Sequence, residues 1–185
     1  MSNYRDEFLS DSYYLISNKG FNNNVLFENT DDYKTFILYV IANLLEHPNL
    51  SISAYCILPK HFHLVVKNKD KWFKLSDFMR KIQVSYAMYF KKKNVDKIEL
   101  KWVPVFQWRF KASLIETSDL EDIESRVAFD PILHESVEDI QNWPYTSAHQ
   151  VMDTWYNYMT QTHIKIYNDW RKIHKNTFFD KDHEK

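Results

Sequence analysis

Two histidines one residue apart, His61 and His63, have the types and spacing best suited to chemistry. They stand in the stretch AYCILPKHFHLVV, residues 54–66, at the start of an apolar run. Residues i and i+2 of a strand point to the same face of a sheet, so both imidazoles would share one face and Phe62 the other. Neutral imidazoles with an oxygen ligand suit Mg²⁺, Mn²⁺ or Zn²⁺. The pair therefore needs at least one further ligand to complete a metal site.

Basic residues are concentrated in the segment that begins beside these histidines. The whole chain of 185 residues has a net charge of −1. Residues 60–111 carry 14 basic and 4 acidic side chains, a net +10, whereas residues 112–143 carry 1 basic and 9 acidic side chains, a net −8. The basic segment indicates a surface for a polyanion such as nucleic acid, and a solvated basic face is the alternative.

Composition excludes several other classes of protein. Glycine occurs only at Gly20, which argues against a glycine-rich phosphate loop and a dinucleotide fingerprint. The lone Cys56 cannot form an internal disulfide, which indicates a reducing cytoplasmic location. No apolar run approaches the roughly 18 residues of a membrane span, and the first ten residues lack the apolar core of a signal peptide. We therefore expect a cytoplasmic protein without membrane attachment.

The elements that must position the histidines alternate between strands and helices. Strands are predicted at 12–18, 51–58 and 61–67, and a strand or strand-loop at 103–115. Helices are predicted after a cap at Thr30 or Asp31, over about 73–93, and over about 117–129. The order β, α, β, β, α, β, α predicts an α+β fold with an antiparallel sheet and helices on one face.

Several motifs in the same order resemble the HUH (His-hydrophobe-His) single-tyrosine transposases of insertion sequences, and most of all their REP-associated tyrosine transposase branch. The motifs that carry the resemblance are AYCILPKHFHLVVKN, VFQWRF, SRVAFDPILHESV and NWPYTSAH. The resemblance runs from about residue 12 to residue 149 and implies a ferredoxin-like transposase domain, assigned to residues 1–149. The aromatic-rich pattern that follows predicts a C-terminal helical appendage over residues 150–185. The resemblance also implies a divalent metal, Mg²⁺ or Mn²⁺, and single-stranded or hairpin DNA bound through a basic groove and stacking aromatics. Relatives occur as monomers and as dimers, so a homodimer stays open.

The position of the family's attacking tyrosine is occupied here by Arg126. In the family, a tyrosine five residues before the proline of an Asn-Pro segment forms a 5′-phosphotyrosine bond, and counting back from Pro131 gives Arg126. A guanidinium stays protonated and cannot attack a phosphate, although it can hold one. We therefore expect a transposase-like DNA-binding protein deficient in tyrosine-mediated strand transfer. The alternatives are a metal-dependent transposase or nuclease using water or another tyrosine (Tyr86, Tyr89 or Tyr145) and a non-catalytic protein-interaction role.

The resemblance places the third metal ligand at Asp130, where close relatives have asparagine. Asp130 lies four residues after Arg126, which is about one helical turn on the same face. A carboxylate binds a hard divalent cation at least as well as a carboxamide does. His61, His63 and Asp130 are therefore the predicted metal ligands, and an ordinary helix salt bridge between Asp130 and Arg126 is the alternative. His134, three residues past Pro131, is interpreted as a surface histidine, with a position near the metal site as the alternative.

Candidate DNA contacts come from two parts of the basic segment. Lys91, Lys92 and Lys93 at the end of the long second helix are the predicted phosphate contacts, with a solvated helix end as the alternative. Arg109, in VFQWRF, is assigned a DNA contact by the resemblance alone.

Overall fold

The computed structural model describes residues 9–69, 75–97, 102–134 and 136–150. The chain divides into two compact units, residues 1–151 and 152–185, and all described residues belong to the first. The predicted C-terminal helical appendage therefore lies outside the described residues from residue 151 onward. Its helical structure and the domain boundary stay predictions.

Four strands form one antiparallel sheet in the order β2-β3-β1-β4. The strands are β1 (Ser12–Lys19), β2 (Leu50–Leu58), β3 (His61–Asn68) and β4 (Lys111–Ile115). One helix follows β1 and another follows β3, so the predicted ferredoxin-like arrangement is confirmed. In the segment 103–115, only the last five residues are strand, while Phe106 makes an isolated bridge to Gly20. Pro104 has no N–H to donate to a ladder, which fits the loop structure of the first part.

Helices lie on both faces of the sheet. They are α1 (Thr30–Glu46), α2 (Leu75–Lys93), α3 (Leu120–Ala128) and α4 (Asp130–Leu133). On the face of α1 and α2, the ring centroids of Phe36 and Phe62 are 4.8 Å apart. On the opposite face, Val127 of α3 joins the buried cluster that contains Val65 of β3. The expectation of helices on one face is therefore wrong for α3, because residues 62 and 65 of a strand point to opposite faces.

Asn29 caps helix α1, and the predicted caps Thr30 and Asp31 are wrong. The Asn29 side chain accepts hydrogen bonds from the backbone N–H groups of Asp31 and Asp32 at 3.1 and 3.2 Å. In return, the Asp32 carboxylate accepts a hydrogen bond from the Asn29 N–H at 3.3 Å. This reciprocal pair is a capping box, which satisfies N–H groups that the first helical turn leaves unpaired.

The segment that follows α4 covers the free edge of β2. The indole N–H of Trp143 donates to the carbonyl of Ile57 at 3.1 Å, and the Ile57 N–H donates to the carbonyl of Tyr145 at 2.9 Å. The hydroxyl of Thr146 lies 2.5 Å from the carbonyl of Ala128, to which it donates. Because Ala128 is the last residue of α3, this bond fixes the end of α3 beside the sheet.

None of the helices within the described ranges is long and apolar enough to cross a membrane. The cytoplasmic location inferred from the lone Cys56 stays a prediction.

Candidate metal centre and its surroundings

The structure brings His61, His63 and Asp130 together at one end of the sheet. Phe62 is fully buried on the face of α1 and α2, so the two histidines point to the opposite face, as their spacing predicts. The turn between α3 and α4 lies over that face. Oδ2 of Asp130 is 3.6 Å from Nε2 of His61 and 3.7 Å from Nε2 of His63.

The electrostatics of these groups favour the protonation states that metal ligands require. Burial lowers the pKa of the His63 imidazole below its ordinary value, and positive charge on His61 and His134 would lower it further, while Asp130 acts against this. Burial tends to raise the pKa of Asp130, but the neighbouring imidazoles of His61, His63 and His134 outweigh it and the pKa is lowered. Asp130 is thus held ionised and His63 neutral near pH 7. Neutral imidazole and ionised carboxylate are the forms that bind metal ions.

Two buried polar atoms of this group have no hydrogen-bond partner among the described residues: Oδ2 of Asp130 and Nδ1 of His63. The contacts of Oδ2 with the two histidines are too long for hydrogen bonds. A buried ionised oxygen without a donor is costly unless a cation compensates it. The donor set of two imidazoles and a carboxylate therefore fits a divalent metal ion.

The buried thiol of Cys56 lies next to this group and is not among the mutually close ligand atoms of the described residues. Cys56 pairs in register with His63 on the neighbouring strand. Burial raises the pKa of the Cys56 thiol, and the negative charge of Asp130 raises it further. The residue therefore stays a neutral thiol that packs in the cluster beneath α3.

His134 belongs to the same group, as the alternative interpretation of this residue predicts. Its imidazole is 53% exposed, yet Nε2 lies 3.5 Å from Oδ1 of Asp130, and its ring centroid is 4.9 Å from that of His61. The signal in the sequence was the spacing of four residues between Asp130 and His134, which puts both side chains on one face of a helical turn. The imidazole is therefore exposed, as the surface interpretation predicts, and it also lies near the metal ligands, as the alternative predicts.

Arg126 does not pair with Asp130. Its guanidinium Nη1 lies 4.0 Å from Oδ2 of Asp122, and its side chain is 72% exposed. Both oxygens of Asp130 face histidines instead. The alternative of a helix salt bridge between Arg126 and Asp130 is therefore wrong, and the guanidinium remains accessible at the position of the expected tyrosine.

The alternative tyrosines on α2 are poorly placed for attack. Tyr86 is fully buried, and its hydroxyl donates to the carbonyl of Leu26 at 2.7 Å. The hydroxyl of Tyr89 donates to Oδ1 of Asp32 at 2.9 Å. Both lie on the face of α1 and α2, across the sheet from the histidines. Tyr145 stacks on Tyr33, with ring centroids 3.9 Å apart.

Four exposed cationic side chains surround the histidine end of the sheet: Lys19, Lys60, Arg109 and Lys111. Lys19 pairs in register with His61, and Lys111 pairs with Ser17, which itself pairs with His63. Residues in register on neighbouring strands point to the same face, so Lys19 and Lys111 share the face of the histidines. None of the four cations forms an ion pair within the described parts of the chain. We call these four residues the basic surface.

The loop that carries Arg109 is fixed against the end of β1. The Gln107 N–H donates to the carbonyl of Lys19 at 2.7 Å, and the side-chain amide of Asn18 donates to the carbonyl of Gln107 at 3.1 Å. Between Gln107 and Arg109, the exposed indole of Trp108 contacts the ring of Phe21 edge-on, with centroids 5.9 Å apart. The loop therefore presents a cation and an exposed aromatic ring at the same end of the sheet as the histidines.

The three lysines at the end of α2 are all exposed residues. The ammonium group of Lys93 contacts the buried Asp32 and, at 3.4 Å, the carboxylate of Glu28. The structure therefore gives Lys93 an intramolecular partner, and a DNA contact remains a prediction for all three lysines.

The comparisons with known proteins all match transposases. The family model described as "Transposase IS200 like" matches residues 12–127. A curated Haemophilus influenzae protein, named as a REP-associated tyrosine transposase, is 27% identical over 163 residues, which cover 81% of this chain and 87% of that protein. A solved structure of a REP-associated tyrosine transposase bound to a REP hairpin matches with a TM-score of 0.62 and 20% identity, over 81% of this chain and 84% of that one. At this identity, the structural match supports the fold.

Proposed function

The chain belongs to the IS200-like transposase family, and from this premise we propose that it binds single-stranded or hairpin DNA and lacks tyrosine-mediated strand transfer. The resemblance to single-tyrosine transposases that the sequence motifs indicated is confirmed by the family match. The DNA-binding part and the catalytic part rest on different observations, and each has its own test.

The observation that carries the DNA-binding proposal is the position of the basic surface around the histidines. Lys19, Lys60, Arg109 and Lys111 are exposed cations that other described side chains do not neutralise. Phosphate neutralisation by such groups supplies most of the affinity for a nucleic-acid backbone. The exposed ring of Trp108 adds a surface on which an unpaired base can stack. A duplex offers no unstacked base in its interior, so this combination favours single strands and the loops of hairpins.

The proposal assigns His61, His63 and Asp130 as ligands of a divalent metal ion. Such an ion, when bound, would stabilise negative charge on a phosphate oxygen. The chain itself contributes a carboxylate held ionised and imidazoles oriented by β3. The basic surface would hold the neighbouring phosphates.

The proposal of lost strand transfer rests on Arg126. The exposed guanidinium can donate to a phosphate through two hydrogen bonds but has no nucleophilic oxygen. The hydroxyls of Tyr86 and Tyr89 donate hydrogen bonds on the opposite face of the sheet from the histidines, so neither can replace the missing nucleophile. Arg126 would therefore bind the DNA backbone where relatives would attack it.

DNA binding can be tested by fluorescence anisotropy with a hairpin probe and a blunt duplex of equal length. A REP-type hairpin is the natural first probe, because the matching solved structure holds one. We expect tighter binding of the hairpin and a steep loss of affinity with salt. Four phosphate contacts to a single strand would give a slope of log K against log salt of about −3. Equal affinity for both probes would contradict the proposed preference for hairpins. An affinity that does not change with salt would contradict phosphate binding by the basic surface.

Strand transfer can be tested with the same hairpin carrying a nick that traps a covalent product. After incubation with Mg²⁺ or Mn²⁺, we expect no DNA adduct of the wild-type protein on an SDS gel. An adduct would overturn the proposed loss of strand transfer while leaving the DNA-binding part intact.

A further inference from the structure

His134 approaches Asp130 from the side opposite to the two strand histidines. Nε2 of His134 faces Oδ1 of the carboxylate at 3.5 Å, whereas His61 and His63 face Oδ2. The potential ligand atoms of His61, Asp130 and His134 all lie within 4.8 Å of one another. An ion held by His61 and Asp130 is therefore within reach of the imidazole of His134. His63 lies outside this group of mutually close atoms, although its Nε2 is 3.7 Å from Oδ2 of Asp130.

We infer that His134 is a fourth protein ligand of this centre and that the centre selects a zinc-class transition metal over Mg²⁺. The inference deepens the proposed function, since it rests on the same assignment of His61, His63 and Asp130 as ligands. Beyond that assignment, it adds His134 as a ligand and a preference for zinc-class metals over Mg²⁺.

The contact distances fit such a centre. Two atoms that each bind a tetrahedral ion at about 2.1 Å lie roughly 3.4 Å apart. The three imidazole nitrogens lie 3.5, 3.6 and 3.7 Å from the nearer carboxylate oxygens of Asp130. These distances to the carboxylate are close to that separation, and side-chain movements that bring His63 toward His61 and His134 would complete the coordination. The exposed imidazole of His134 can make such a movement because it is not packed in the core.

The chemistry of the donors decides the choice of metal. Mg²⁺ prefers six oxygen ligands in octahedral geometry and keeps several waters. Three imidazoles and one carboxylate instead suit Zn²⁺ and related transition metals, for which nitrogen is a preferred donor. Four protein ligands also characterise closed zinc sites, whereas catalytic sites keep a position free. When an ion is bound, His134 would thus compete with a scissile phosphate for a coordination position.

The geometry also links the strand to the helical turn. His61 and His63 belong to β3, whereas Asp130 and His134 begin and follow α4. An ion bound by all four would connect the two elements and should stabilise the folded chain by mass action.

The test uses the full chain with Zn²⁺, Co²⁺ and Mg²⁺ as probes. We compare wild type with His134→Ala and with His47→Gln as a matched control that also removes one imidazole. The backbone carbonyl of His47 accepts a hydrogen bond from the N–H of Leu50, which places His47 at the opposite end of β2, roughly 25 Å from the centre along the strand. Circular dichroism and melting in EDTA check that each variant is folded.

We expect the wild type to bind one Zn²⁺ per chain in titration calorimetry with Mg²⁺ present in large excess. We expect Co²⁺ to give the intense visible absorption of a four-coordinate site. His134→Ala should weaken Zn²⁺ binding at least about 10-fold and alter the Co²⁺ spectrum, since loss of even an outer partner of a metal ligand costs that much. His47→Gln should match the wild type.

Equal Zn²⁺ affinity of His134→Ala and wild type would overturn the role of His134. Effective competition by equimolar Mg²⁺ would overturn the selectivity. Failure of the wild type to bind Zn²⁺ or Co²⁺ would overturn the inference entirely. Hairpin affinity of the same samples in EDTA is measured separately, so a failed metal site and failed DNA binding are distinguishable.

Discussion

The ammonium group of Lys93 lies 2.7 Å from Oδ2 of Asp32, a fully buried carboxylate near the start of α1. The hydroxyl of Tyr89 and the backbone N–H of Glu28 also donate to this carboxylate, at 2.9 and 2.8 Å, in addition to the Asn29 N–H. The last turn of α2 is thereby fixed to the first turn of α1. A residue that resembled a free phosphate contact in sequence is part of the packing between two helices.

Replacement of Lys93 by methionine should destabilise the fold, because the buried carboxylate of Asp32 loses its charged partner. We expect the free energy of unfolding to fall by about 2 kcal/mol, less than for a fully buried pair because Lys93 is partly exposed. Urea denaturation measures the change. Lys97→Met is the matched control, since Lys97 pairs with the exposed Glu28 at 3.1 Å and should cost less than about 1 kcal/mol. Equal losses in the two variants would contradict the importance of the buried pair.

Tyr89 should make stability sensitive to alkaline pH. Burial raises the pKa of Tyr89 to about 12, and the hydrogen bond to Asp32 acts in the same direction. The unfolded chain loses this proton near pH 10, whereas the folded chain retains it. Stability from this group is therefore complete below about pH 10 and is lost as the pH rises toward 12. In Tyr89→Phe, melting curves at pH 9 to 12 should show a smaller decrease than in wild type, and an unchanged decrease would contradict the assignment.

The order of strands and helices and the shared face of His61 and His63 could be predicted because they depend on local periodicity. The convergence of Asp130 with these histidines could be predicted only through the resemblance, because 67 residues of chain separate it from His63. The position of Lys19 depends on the register of β1 against β3, which periodicity alone does not determine. The face of the sheet on which α3 packs could not be predicted, because α3 contacts β2, which lies far from it in the sequence.

Arg109 should contribute one phosphate contact to hairpin binding. We expect Arg109→Gln to weaken binding and to reduce the slope of log K against log salt by about 1. Anisotropy titrations at several salt concentrations measure both effects. Arg80→Gln removes an equal charge from α2, where Arg80 pairs with Asp77 at 3.6 Å, and should leave the slope unchanged. A similar slope change in both variants would indicate a general charge effect and no local contact.

Thr146 should connect fold stability with the metal centre. Its buried hydroxyl donates to the carbonyl of Ala128, two residues before Asp130, so its loss should loosen the turn that presents the carboxylate. We expect Thr146→Val to lower the free energy of unfolding by about 1–2 kcal/mol and to weaken Zn²⁺ binding. The exposed Thr117→Val is the control for the same chemical change. If Thr146→Val is less stable than wild type but binds Zn²⁺ with the same affinity, the hydrogen bond of Thr146 does not influence the metal centre.

Restoration of a tyrosine at position 126 should restore covalent chemistry if the scaffold has lost only its nucleophile. Arg126 is exposed and begins the helical turn that ends at Asp130, so Arg126→Tyr should fit without disturbing the core. We expect this variant to form a hairpin-DNA adduct on SDS gels with Mn²⁺. Arg126→Phe is the matched control, because it has the ring without the hydroxyl and should form none.

His134 should limit that restored activity, because as a fourth protein ligand it would compete with the phosphate for a coordination position. We therefore expect more adduct from the double variant Arg126→Tyr/His134→Ala than from Arg126→Tyr alone, at equal hairpin occupancy. Quantified gels over a time course give the initial rates of adduct formation. Equal rates in the two variants would show that His134 does not restrict access of the phosphate to the metal. Absence of adduct from both would show that the substitution at residue 126 alone does not explain the loss of strand transfer.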